Sequence, residues 1–203
     1  MRIALFGGTF DPPHRGHLSV ARASAVFLSL EEVLFVPTGR QPLKLHGSIT
    51  TPYESRFAMV ELLCAGADKR FAASRLEEPG ENNGPNYTID TLRRFRTGAS
   101  SAEVFVIVGA DSFLDIRRWR EPDALLAIAE WIVVSRPGFS LAELGPMRLT
   151  QEQRGRVHLL ETVHEEVSAT EIRRRIAAGE DCSELLTPEI AEYIEQHRLY
   201  RKR

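Results

Sequence analysis

The sequence predicts an α/β protein: a doubly wound parallel sheet with helices following at its C-terminal end. Three observations carry that expectation. Short apolar runs alternate with amphipathic segments along the chain, the pattern of strand–helix–strand units. The runs over Arg2–Phe6 and Val104–Val108 are apolar nearly throughout, as buried strands are. The first strand starts at residue 2, which puts the turn after it near the middle of such a sheet. Ligands of these sheets sit outside the carboxyl ends of the strands at the switch point. At 203 residues, with 43% hydrophobic and 27% charged side chains, the chain reads as one globular domain over 1–203, its helical C-terminal part starting at about 165.

Each element has its own signal. Arg2–Phe6 ends in Gly7-Gly8 and reads as a strand and turn. His17–Leu30 places Leu18, Ala21, Ala25 and Leu28 near helical spacing. Val33–Val36 reads as the second strand. Thr51-Pro52-Tyr53-Glu54 predicts a helix start, with Thr51 as cap, Pro52 in the first turn and Glu54 closing a capping box. Phe71–Ala73 reads as a weaker strand, Tyr87–Phe95 as a helix, and Val104–Val108 as a strong strand. Pro122–Ala129 is a helix and Trp131–Val134 a strand. Ser168–Ala178 and Pro188–His197 close the chain as helices, with Ser168 and Glu171 spaced as a capping box.

Composition excludes several functions. The net charge is −2, which argues against a nucleic-acid or polybasic membrane binder. Lys44, Lys69 and Lys202 are the only lysines among 26 basic residues. Cys64 and Cys182 form no C-x-x-C pair, so neither a disulfide framework nor a zinc cluster is expected. The apolar start is too short for a signal peptide, and the stretch 124–134 is broken by Glu130. A reducing cytoplasm is the expected setting.

Chemistry concentrates after the first strand, in Gly7-Gly8-Thr9-Phe10-Asp11-Pro12-Pro13-His14-Arg15-Gly16-His17. The string is neither a Walker loop nor a G-x-G-x-x-G fingerprint. Its glycines permit close backbone approach to a ligand. His14 and His17, three apart near a helix start, can face one way and meet an anion there.

This string resembles the signature of the nucleotidyltransferase superfamily with the H-x-G-H motif. The resemblance implies a Rossmann-like fold and nucleotidyl transfer from a nucleoside triphosphate. It implies that His14 and His17 meet the triphosphate and its developing charge, with Gly7, Gly8, Thr9 and Phe10 around them. Ser168-Ala169-Thr170-Glu171-Ile172-Arg173 is similar to the superfamily's second motif, which assigns Ser168, Thr170 and Arg173 to phosphate. Val167 and Ala169 depart from that pattern.

Further segments narrow the family. They are Gly109-Ala110-Asp111-Ser112, Arg118-Trp119, Tyr87-Thr88-Ile89-Asp90, Ser135-Arg136-Pro137-Gly138 and Leu186-Thr187-Pro188 with Tyr193 and His197. The set resembles the bacterial nicotinate-nucleotide adenylyltransferases, which make deamido-NAD from nicotinate mononucleotide and ATP. The resemblance implies Mg²⁺ bound through ATP phosphates and no metal ligand from the protein. It implies small-molecule partners only, with neither nucleic acid nor membrane.

Trp119 suits stacking on a cationic pyridine ring, or packing. Tyr87 and Thr88, at a helix start, suit a carboxylate. The resemblance places Gly109 and Asp111 at the ATP site, where Asp111 suits the ribose, or Asp111 caps a helix with Ser112. Arg136 meets nucleotide phosphates or adenine. Arg56 matches a family helix position, or pairs with Glu54 or Glu61. Arg40 and Lys44 supply basic groups after the second strand, where Leu43 replaces a family histidine. Alternatives are another acceptor, such as nicotinamide mononucleotide or phosphopantetheine, or a catalytically silent nucleotide-binding regulator.

Overall fold

The computed structural model describes residues 1–40, 51–80, 84–135, 144–145, 147–161 and 168–201. Six parallel strands form one sheet, β1 (Arg2–Gly8), β2 (Glu32–Pro37), β3 (Phe71–Ala73), β4 (Glu103–Gly109), β5 (Glu130–Ser135) and β6 (Val157–Glu161). Their spatial order is β3-β2-β1-β4-β5-β6. Strand order therefore reverses beside β1, and the crevice between the carboxyl ends of β1 and β4 is the switch point.

Strand side chains alternate between two cores. Ala4, Phe6, Phe105, Ile107 and Ile132 face one layer, with α1 (Arg15–Phe27), α2 (Tyr53–Ala65), α7 (Ala169–Ala178) and α8 (Pro188–Gln196) contributing to it. Ile3, Leu5, Val104, Val106, Trp131 and Val133 face the other, with α3 (Thr88–Gly98), α4 (Ala110–Leu114) and α5 (Pro122–Ile128). Burial on both faces is why these strands read as continuous apolar runs.

The local sequence explains most boundaries and corrects several expectations. β1 runs through Gly7 and Gly8, which pair with Val36 and Pro37 of β2, so the glycines are strand residues and not a turn. The first helix begins at Arg15 and ends at Phe27, earlier than expected at both ends. Thr51 does not cap α2: Pro52 holds that position without a side-chain bond. Glu54 instead pairs with Arg75 at 2.9 Å. Ser168 does cap α7, accepting from the Glu171 N–H at 3.1 Å. The Glu171 carboxylate does not return the bond; it pairs with Arg174 and Arg175. Asp111 lies inside α4, whose cap is Gly109. The short elements α4, α6 (Gln151–Gly155) and β6 had no clear signal, since five residues are too few to display a period.

Candidate active site

The loop after β1 carries the histidines onto the end of α1. His14 is the N-cap of α1, in extended conformation, and His17 is its third residue. Their rings lie 3.8 Å apart at 33°. The His14 backbone N–H donates to His17 Nδ1 at 3.1 Å. That bond makes Nδ1 an acceptor and leaves the proton of neutral His17 on Nε2. Burial lowers the His14 pKa from 6.5 to about 4. Burial, and then the neighbouring His14, hold His17 well below the usual range. Both rings are thus neutral at pH 7 without a ligand, and a bound polyanion would favour their protonated forms.

Beneath them, Phe10 is buried against Phe6, Phe35 and His17, its ring 4.9 Å from that of His17. Its side chain belongs to the core, so it offers a nucleotide only backbone. A Cβ at Gly8 would lie 3.0 Å from the Phe10 ring, tight enough that the ring would have to shift slightly.

The second motif meets the first directly. Arg173, on α7, donates from Nη1 to the Asp11 carbonyl at 2.6 Å and from Nη2 to Thr170 Oγ1 at 3.3 Å. The Arg15 N–H and side chain reach the carbonyls of Leu185 and Leu186. Residues 162 positions apart are joined at the carboxyl end of the sheet. Arg174 and Arg175 turn away into ion pairs with Glu171, Glu180 and Glu184.

A cavity of about 520 Å³ opens beside this loop, at the ends of β1 and β4. Gly7, Gly8, Tyr87, Thr88, Gly109 and Trp119 all line it. Trp119 packs against Trp131, ring centroids 6.1 Å apart in a T-shaped arrangement, and also lines the cavity. Tyr87 caps α3 and Thr88 opens it, so early helix N–H groups lie beside the cavity. Asp111 is exposed and off the cavity wall, where its neighbour Ser112 takes a place. His14, His17, Thr9 and Thr170 also lie outside the wall. Arg40 is tied in by its backbone, exchanging bonds of 2.8 and 2.9 Å with Asn86. Lys44, Leu43, Arg136 and Val167 lie outside the described residues.

Three comparisons place this geometry. The Cytidylyltransferase-like family model matches residues 5–175. A probable nicotinate-nucleotide adenylyltransferase of Thermus thermophilus is 40% identical over 99% of this chain and 100% of that protein. One from Symbiobacterium thermophilum is 41% identical over 98% of this chain and 95% of that protein. The chain belongs to the nicotinate-nucleotide adenylyltransferase family. A solved nicotinic acid mononucleotide adenylyltransferase of Plasmodium falciparum, complexed with NaAD, shares the fold of this family member. Its TM-score is 0.75 at 18% identity, covering 98% of this chain and 97% of that one.

Around the cavity and loop of this adenylyltransferase, sequence reasoning missed Glu77 and left the setting of Arg56 open. Glu77 is a buried carboxyl on the cavity wall, bonded by Thr91 Oγ1 at 2.8 Å and by the Thr38 hydroxyl. Burial raises its pKa, against the effect of those two hydroxyls. Gly39 is the one readable trace: a Cβ there would stand 2.5 Å from the Glu77 carbonyl. Arg56 is buried, and forms neither of the ion pairs expected with Glu54 or Glu61. It donates to the Thr9 carbonyl at 2.8 Å and the Thr51 carbonyl at 3.2 Å. Burial lowers its pKa.

Proposed function

We propose that the protein transfers the adenylyl group of ATP to nicotinate mononucleotide, giving deamido-NAD and pyrophosphate. The observation that carries this reading is the Arg173–Asp11 hydrogen bond. It sets the guanidinium of one motif beside the histidine pair of the other, next to a cavity large enough for a mononucleotide half.

The acceptor phosphate has a second pKa of about 6 and is largely ionised at neutral pH, so it needs no general base. Catalysis is then positioning and charge stabilisation at the α-phosphorus as pyrophosphate leaves. His17 donates a hydrogen bond from Nε2 to the oxygen on which negative charge develops. His14 supports it from the N-cap of α1, where the positive end of the helix dipole also favours an anion. Arg173 and Thr170 face the outer phosphates, and Ser168, whose oxygen accepts from Glu171, keeps its own proton to donate. Thr9 and Phe10 offer backbone, and Gly7, Gly8 and Gly109 let the nucleotide approach the strand ends.

The pyridinium ring stacks on Trp119. Its carboxylate is met by the start of α3, at Tyr87 and Thr88. Arg40 and Lys44 take the acceptor phosphate, Arg136 the nucleotide, and Asp111 the ribose. No group of three or more histidine, cysteine, aspartate or glutamate side chains among the described residues could hold a metal ion. Mg²⁺ is proposed to enter with ATP, held by phosphate oxygens and water. Residues 1–203 act in this reading as one domain. No helix among the described residues is long and apolar enough to cross a membrane, and a cytoplasmic setting is part of the proposal.

The test is a side-by-side assay with ATP, Mg²⁺ and either nicotinate or nicotinamide mononucleotide. Pyrophosphate release with deamido-NAD as the preferred product is expected. ATP binding without turnover on either acceptor would overturn the reading.

A further inference from the structure

Behind the histidine loop lies a buried polar group that the reaction does not use. Asp11 is 1% exposed. The Tyr200 hydroxyl donates to its Oδ1 at 2.7 Å, while Oδ2 has no hydrogen-bond partner among the described residues. The Thr51 hydroxyl is bonded to the same phenol oxygen. Burial, and then the Asp11 carboxylate, push the Tyr200 pKa up, so the phenol keeps the proton it donates. Two guanidiniums hold the adjoining backbone: Arg56 on the Thr9 carbonyl and Arg173 on the Asp11 carbonyl.

Between these anchors Phe10 sits at φ 49°, in the left-handed region that a bulky side chain adopts only when its surroundings hold it there. The ring held in this way is the one beneath His17. We propose that Tyr200 is a positioning residue for ATP. Its hydroxyl fixes Asp11, and through Asp11 it fixes the Thr9–Asp11 backbone on which both His17 and the Arg173 guanidinium are aligned. Neither Asp11, Arg56 nor Tyr200 lines the acceptor cavity, so the device acts on the phosphate side alone. The inference rests on the adenylyl-transfer reading for its kinetic form, not for its binding form.

The experiment is Tyr200→Phe, which removes one oxygen and keeps the ring. Misplacement of a reacting group by about 1 Å costs on the order of 10²-fold. A fall in kcat of roughly 10- to 100-fold is expected, with a raised KM for ATP and an unchanged KM for nicotinate mononucleotide. Asp11→Asn added to Tyr200→Phe removes the stranded buried charge and restores part of kcat. Wild-type kcat and ATP KM in Tyr200→Phe, with only a lower melting temperature, would overturn the proposal. So would equal changes in both KM values, or no recovery in the double variant. Calorimetric titration with ATP alone separates this from the choice of acceptor. Weaker ATP binding by Tyr200→Phe supports the latch even if nicotinate mononucleotide is not the substrate, and unchanged ATP affinity refutes it. Should Tyr200→Phe not fold, Asp11→Ala, which removes the acceptor of the Tyr200 hydroxyl, reads the same split between ATP and acceptor.

Discussion

The two halves of the proposed site, one for phosphate and one for the pyridine ring, are built on different principles. The phosphate half is the loop over residues 9–17, braced by Arg56, Arg173, Leu185 and Tyr200 from three distant parts of the chain. Asp11, His14 and Arg56 are buried and His17, Arg173 and Tyr200 half-buried, and the two braced guanidiniums are committed to backbone carbonyls. The pyridine half is a cavity between strand ends, walled by half-buried side chains such as Tyr87, Thr88 and Trp119. Phosphate recognition needs fixed N–H and guanidinium groups, and rigidity there lowers the reorganisation cost of the reaction. A flat ring needs area and a few donors, which a more open cavity supplies. Substitutions in the first half should therefore act on kcat and ATP, and those in the second on the acceptor.

The largest separation is expected from His17→Ala. Loss of a single transition-state donor costs about 10²–10³ in kcat, and the KM for nicotinate mononucleotide should stay close to wild type. Steady-state kinetics at saturating ATP reads both. A kcat within a fewfold of wild type would remove His17 from the catalytic role, and a matching rise in acceptor KM would erase the division between the halves.

The buried histidines should also mark the phosphate half in its stability. His14 titrates at about 4 when folded and at about 6.5 when unfolded. The unfolded chain binds more protons between those values, so stability is fully present above pH 6.5 and is lost as pH falls toward 4. Two and a half units correspond to roughly 3 kcal/mol. His14→Asn should flatten that part of the denaturation profile between pH 7 and 4, while Trp119→Phe leaves its slope intact. Identical slopes in wild type and His14→Asn would contradict the burial of a neutral ring.

The same division decides what could be read without coordinates. Strand runs and the histidine string are local: each is specified within a dozen residues, so composition and spacing expose them. Arg173 was legible because α7 carries its own cap at Ser168 and the motif beside it. Glu77 and Tyr200 were not, and Asp11 and Arg56 could be named but not placed, because their meaning is a pairing across up to 189 positions. A buried arginine or aspartate looks in sequence like any surface charge. Arg56 was open to surface ion pairs for that reason. β6 escaped because His158 and Glu161 dilute its apolar character; the former pairs with Glu130 at 2.9 Å.

In the pyridine half, Trp119→Ala should raise the KM for nicotinate mononucleotide by about tenfold, the scale of a partly desolvated cation–π contact. ATP KM and kcat should move little. Because Trp119 also packs on Trp131, some loss of melting temperature will accompany it. Trp119→Phe, which keeps a face of reduced size, should recover most of the acceptor affinity. An equal rise in both KM values for Trp119→Ala would refute stacking.

The smallest effect tests how the phosphate half begins at α7. Sequence spacing makes Ser168 and Glu171 a reciprocal box, whereas only the Ser168 half is formed. Ser168→Ala removes a real cap and should cost about 1 kcal/mol, loosening the turn that carries Thr170 and Arg173. Glu171→Ala removes ion pairs with Arg174 and Arg175 that solvent screens, so little stability should go with them. The two losses therefore differ in kind. The first should weaken ATP binding and persist in high salt. The second should leave ATP binding unchanged and vanish as salt screens the pairs. Thermal melts at low and high salt, with ATP titrations beside them, distinguish the two; equal salt dependence would mean that both residues act through charge and that the cap contributes nothing to the site.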